Sequence, residues 1–160
     1  MSEQYTVQFI NPILSGVLSV LSTMANIEVK PGKPYLNKKG SAAGDITGII
    51  DIEGHSRGVI ALSLSKTVVL SIVNNMLYED FSEINDEIAD AVGELTNMIS
   101  GQARSILSES GISFKAGTPR VVKGQGQMLD HIPDAPILAV PFSSPHGDLV
   151  VEISLSDEGS

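Results

Sequence analysis

Glu94 and Asn97 stand one helical turn apart in the run GELTNMISGQAR at 93–104. A carboxylate and a carboxamide at that spacing contain no nucleophile of useful strength. A carboxamide both donates and accepts hydrogen bonds, so it can hold and orient a water. A carboxylate can anchor a cation, typically a lysine. Such a pair can assist hydrolysis of a bond already activated elsewhere.

The surrounding periodicity predicts the helix that must carry them. At about 100° per residue, Ile84, Ile88, Ala91, Val92, Leu95, Met98, Ile99 and Ile106 fall on one broad face. Asp90, Glu94, Asn97 and Gly101 fall opposite, with Arg104 beside them. A polar stripe opposite an apolar one is what any surface helix displays. Two features set this stripe apart. Asn and Gly are poor helix formers, Gly costing about 1 kcal/mol relative to Ala. Gly93 and Gly101 also remove side chains around the Glu94–Asn97 pair, as a face approached by another backbone would require.

The bulk numbers bound the partner. The chain has 160 residues, 42% hydrophobic and 18% charged, with 10 Lys plus Arg against 19 Asp plus Glu. Such a chain folds, and its length suits a single domain over 1–160. The net charge of −9 disfavours nucleic acid and anionic membrane surfaces, which need clustered cations. With no cysteine, disulfides, zinc-thiolate sites and thiol nucleophiles are excluded, and a cytoplasmic setting is expected. The apolar run Ile13–Ala25 follows MSEQ, which lacks a positive n-region, and it is too short and serine-rich to span a bilayer of roughly 20 residues.

Along the chain, Asn11-Pro12 reads as a helix start, with Asn as N-cap and Pro at the first position. IEVKPGKPY allows only a short strand and a turn. DITGIIDIEG and GVIALSLS form a hairpin across EGHSRG, and Ser65 caps a second helix, KTVVLSIVNNMLYE. Asp80 with Glu83 resembles a capping box that opens the third helix, which runs to about Ser110 before Gly111. ISFKAGTPRVV is strand and turn, GQGQMLDHIPDA an irregular loop, and PILAVPF with DLVVEISLS a second hairpin; the tail DEGS is frayed. His55, His131 and His146 fall in loops and read as solvated rather than as ligands.

The order repeats, and so do letters. IEVKPGKP at 27–34 matches ISFKAGTP at 112–119, and ALSLS at 61–65 matches EISLS at 152–156. The fold expected is α/β (α+β): two pseudo-repeated helix–strand–hairpin halves, about 9–65 and 84–156, around a shared sheet with long helices on one face. Superposing Pro34 on Pro119 sets Tyr5, Phe9 and Pro12 against Asp90, Glu94 and Asn97. The first half therefore lacks the functional pair.

Asp90, three residues, Glu94, two residues, Asn97 and then Pro119 resemble the signature of the CheC/CheX/FliY family of chemotaxis phosphatases. FINP, LSTMANIEVKPGKPYL, EINDEIADAVGELTNMISGQAR and SFKAGTP are similar to CheX-type stretches, so the likeness runs through most of the chain. The resemblance implies a hydrolase acting on the aspartyl phosphate of a CheY-type receiver domain. Asn97 would enter the receiver site and orient the attacking water, and Glu94 would pair with the receiver's lysine. Asp90, Gly101 and Arg104 are expected to meet the partner, and Pro119 to shape its turn. The chain would need no cofactor of its own, because Mg²⁺ would sit in the receiver. One site per chain is the CheX pattern, and a homodimer joined at sheet edges is implied as well. The same fold family includes parts of the flagellar switch, so a non-catalytic receiver-binding module is the alternative. A small-ligand sensor built on GQGQMLDHIPDA is a weaker third reading.

Overall fold

The computed structural model describes residues 3–38, 40, 42–126, 129 and 135–156, with side chains from Gln8 onward. It is an α+β fold: three helices lie on one face of a single antiparallel sheet.

Helix α1 spans Glu3–Ala25 and carries Pro12 inside it. It does not start at Asn11-Pro12. A proline removes one backbone hydrogen bond and favours a first-turn position, but here burial on both sides of it wins. Phe9 is in the core, stacked edge-on against Phe114 with ring centroids 6.3 Å apart, and Pro12 and Ile13 are buried one turn on. Anchored at both ends of the break, the helix continues through it. Its window Gln8–Ala25 is long and apolar enough to cross a membrane by length and hydropathy, contrary to the expectation from Ile13–Ala25 alone. Yet Phe9, Ile13, Val17, Leu21 and Ala25 are spent on the core.

Helix α2 (Lys66–Leu77) begins at Ser65, whose hydroxyl accepts from the Val68 amide, and ends at Tyr78 in the left-handed region. Helix α3 (Asp86–Glu109) begins later than a capping box at Asp80–Glu83 would set it. The N-cap is Asn85, whose side-chain oxygen accepts from the Ile88 amide at 2.9 Å. Glu83 pairs instead with Lys66 at 2.8 Å, and Asn74 brackets the linker by bonding both the amide and the carbonyl of Phe81. At the far end Ser110 is the C-cap and Gly111 has φ +85°, the left-handed stop expected there.

The strands are β1 (Lys30–Pro31), β2 (Tyr35–Leu36), β3 (Ile46–Gly54), β4 (Gly58–Leu64), β5 (Phe114–Ala116), β6 (Arg120–Lys123), β7 (Ile137–Ser144) and β8 (Gly147–Leu155). The sheet order β1-β7-β8-β4-β3-β5, with β2 on β7 and β6 on β3, is symmetric about the β8–β4 pair. Each pair of short strands crosses to the other hairpin: β1 and β2 border β7, while β5 and β6 border β3. In the central ladder Ala61 faces Glu152, the leading residues of the matching ALSLS and EISLS runs. The crossover chains meet on the face away from the helices, where Leu129 N–H bonds Gly40 O and Gly126 N–H bonds Ala42 O.

Helix α3 lies unusually close to the sheet. A Cβ on Gly48 of β3 would fall 1.9 Å from Thr96 Oγ1 and 3.0 Å from Thr96 Cβ. On the other side, a Cβ on Gly16 of α1 would lie 3.1 Å from the Ile99 carbonyl oxygen. Two glycines thus let α3 settle against its neighbours. Gly48→Ala should lower stability by about 1–3 kcal/mol, the range for overpacking a core. Adding Thr96→Ala should recover part of that loss. Urea unfolding of the single and double variants checks both.

Candidate functional site

The candidate site lies on the outer face of α3. Asp90, Glu94 and Asn97 are exposed, while Ile88, Val92, Leu95 and Ile99 are buried. Asp90, Glu94, Asn97, Gly101 and Arg104 fall within about 80° of arc at 100° per residue. Along the axis, Glu94 and Asn97 are separated by about 4.5 Å, three residues of 1.5 Å rise. Both functional groups therefore reach outward side by side. Ile84, expected on the apolar face, precedes the helix and lies half-buried in the linker.

The buried face also holds two polar side chains that periodicity assigns to no role. Thr96 and Ser100 are 1% and 0% exposed, so both hydroxyls need partners inside the protein. Thr96 Oγ1 donates to the Val92 carbonyl one turn back at 2.7 Å. Ser100 Oγ accepts from Arg104 Nε at 3.2 Å. A reading that sends polar residues outward misses both. For Thr96 the available signal was spacing, since 92, 96, 99, 103 and 107 follow one helical line; Ser100 lies beside that line.

Gly93 does different work from that expected of it. Gly93 is buried: a Cβ there would touch Val121 Cγ2 at 3.6 Å and Pro119 Cγ at 4.0 Å. It faces strand β6 rather than a docking partner. Its small size lets Pro119, the last member of the signature, lie against α3 at Gly93. Gly101 is half-buried, with Arg104 Nη2 at 3.6 Å from where its Cβ would be. The space cleared at Gly101 is bordered by the arginine of the same helix.

Neighbouring charges are mostly committed. Lys123 of β6 reaches Asp86 at 3.3 Å, and Arg120 pairs with Asp51 at 2.9 Å. These exposed pairs contribute at most about 1 kcal/mol each; the first ties β6 to α3 and the second ties β6 to β3. His55 is exposed and lies edge-on to Phe114, and His146 is exposed in the β7–β8 turn. His131 and most of GQGQMLDHIPDA lie outside the described residues, as does the tail DEGS. Among the described residues no group of three or more His, Asp or Glu could hold a metal ion.

The family model described as "Chemotaxis phosphatase CheX" matches residues 46–143, a stretch that includes all of α3 and Pro119. The chain belongs to the CheX family. By that membership it is a protein phosphatase. The CheY-P phosphatase CheX of Thermotoga maritima is 25% identical over 137 residues, covering 85% of this chain and 87% of that one. A CheC-like superfamily protein from Shewanella sp. PV-4 is 43% identical, with a TM-score of 0.87 over 94% of this chain and 98% of that one. The CheX of a CheX–CheY–BeF3–Mg²⁺ complex from Borrelia burgdorferi is 25% identical, with a TM-score of 0.78 over 93% of this chain and 98% of that one.

In this CheX-family chain Glu94 and Asn97 are surface side chains with no hydrogen bond or ion pair among the described residues. Their replacement by alanine should leave stability within about 0.5 kcal/mol of the unmodified protein. Asn85→Ala, which removes the α3 cap, should cost about 1 kcal/mol. Parallel thermal melts of the three variants separate residues kept for function from one kept for the fold.

Proposed function

We propose that this protein hydrolyses the aspartyl phosphate of a CheY-type receiver domain, with Asn97 orienting the attacking water and Glu94 pairing with the receiver's lysine. One observation carries the reading. Glu94 and Asn97 project together from a well-seated helix against which Pro119 packs at Gly93, and among the described residues neither group has an internal hydrogen-bond or ion-pair partner. The Borrelia burgdorferi relative in complex with CheY, BeF3 and Mg²⁺ supports a receiver as the partner and Mg²⁺ as part of the assembled site.

The chemistry asks little of this chain. Water attacks phosphorus, the bond from phosphorus to the aspartyl oxygen breaks, and the products are inorganic phosphate and the free carboxylate. Phosphoryl transfer of this kind depends on positioning and charge stabilisation. The receiver would supply phosphate, Mg²⁺ and lysine. The Asn97 carboxamide adds the position of the water, and each 1.4 kcal/mol off the barrier is a factor of ten in rate. Glu94 anchors the docked receiver rather than taking part in bond breaking. Asp90, one turn before Glu94, extends the same acidic surface toward the receiver's lysine.

We place the reaction in the cytoplasm and the protein in a homodimer joined through a sheet edge. Tyr35 and Leu36 of edge strand β2 are about half exposed and offer an apolar border for that contact. Sedimentation that returns a monomer at micromolar concentration would remove the dimer from this account.

The direct test is decay of a labelled receiver phosphate, using receivers from the same organism. Acceleration by the unmodified protein is expected for at least one receiver. Tight binding with an unchanged phosphate lifetime would instead identify a non-catalytic docking module. Glu94→Gln should raise KM about tenfold, equivalent to about 1.4 kcal/mol of binding, and change kcat much less. A loss confined to kcat would contradict the anchoring role.

A further inference from the structure

Helix α3 reads DEIADAVGELTNMISGQARSILSE: five carboxylates and a single cation, Arg104. Its charges are arranged in order. Asp86, Glu87, Asp90 and Glu94 occupy the first half, Asn97 stands near the middle, and Arg104 follows in the second half. The first-half acids suit the receiver's lysine, as proposed above. Arg104 has the opposite preference.

The arginine is held without being neutralised. Its Nε donates to Ser100 Oγ, a hydroxyl that is fully buried, and this draws the side chain back along the helix by one turn. Gly101 leaves the space beside its Nη2 open. Among the described residues Arg104 pairs with no carboxylate, whereas Lys66, Arg120 and Lys123 all do. A guanidinium fixed through one nitrogen keeps its remaining N–H donors in a planar fork suited to a carboxylate. Much of the entropy cost of ordering it is already met in the free protein.

We infer that Arg104 is a specificity-determining docking residue: it binds a surface carboxylate of the receiver, and together with Glu94 it fixes which way round the receiver lies along α3. This rests on the receiver-phosphatase reading. The anion is taken to be a carboxylate rather than the phosphoryl group. Arg104 is two turns beyond Asn97 in sequence, about 10.5 Å along the axis at 1.5 Å per residue, and its side chain recovers only about one turn of that. The water and the phosphorus belong at Asn97. A partner approaching in reverse would bring its lysine to Arg104 and its carboxylate to Glu94, two like-charge contacts that favour the correct orientation.

The test is receiver-phosphate decay measured over a range of receiver concentration and of salt, for the unmodified protein, Arg104→Gln and Ser100→Ala. Arg104→Gln should raise KM about tenfold, leave kcat within about twofold and flatten the rise of KM with salt. Ser100→Ala keeps the charge but frees the side chain, and should raise KM by a smaller factor with the salt dependence kept. Unchanged KM and salt dependence in Arg104→Gln, with the unmodified protein active, would overturn this inference alone. A fall in kcat at constant KM would also overturn it, because the guanidinium would then act on the phosphoryl group. No acceleration by the unmodified protein would overturn it together with the phosphatase reading.

Discussion

The contact between α3 and β3 sets the geometry of everything that follows. Gly48 gives up a side chain so that Thr96 can lie on the sheet, and the Thr96 hydroxyl is satisfied within its own helix by the Val92 carbonyl. That seating fixes the rotation of α3. Once Thr96, Ile99 and Ser100 face inward, Asp90, Glu94 and Asn97 must face outward at about 100° per residue. The close approach of α1 at Gly16 holds the other flank. A water-orienting carboxamide is useful only if its position is fixed, and a misplacement of about 1 Å can cost a hundredfold in rate. Under the proposed mechanism, tight packing beneath the helix would serve catalysis by holding Asn97 in place.

Above the sheet, the same helix divides its surface between two tasks. In the proposed complex Asn97 would face the reacting bond, and the charged groups before and after it would face the partner. Pro119 and Val121 come against the helix at Gly93. The matching position in the first half is different in kind: Phe9 and Pro12 stand where Glu94 and Asn97 would be, and both are buried. The duplicated architecture supplies one helix to complete the core and another that carries the candidate site.

Much of this was legible in the sequence because it depends on local chemistry. The hairpins follow from alternating apolar strands around EGHSRG and SSPHG, and Ser65 and Gly111 act at the positions where a cap and a stop are expected. Glu94 and Asn97 were legible as a spacing on one helical face. What escaped depends on tertiary contacts. Pro12 marks a helix start in isolation, but the burial of Phe9 carries the helix through it. Asp80 and Glu83 satisfy the pattern of a capping box, yet Glu83 finds Lys66 and the cap passes to Asn85. Gly93 was read as clearing a docking face because the approach of β6 could not be seen from the sequence, and the buried Thr96 and Ser100 were given no role.

The central claim is that this chain contributes one positioned carboxamide to a reaction whose other groups belong to the partner. Single-turnover decay of receiver phosphate under saturating Asn97→Ala protein tests it most directly. The account predicts a fall of about a hundredfold or more in the bound decay rate, with receiver affinity and thermal stability retained. Decay at the unmodified rate in that variant would contradict it.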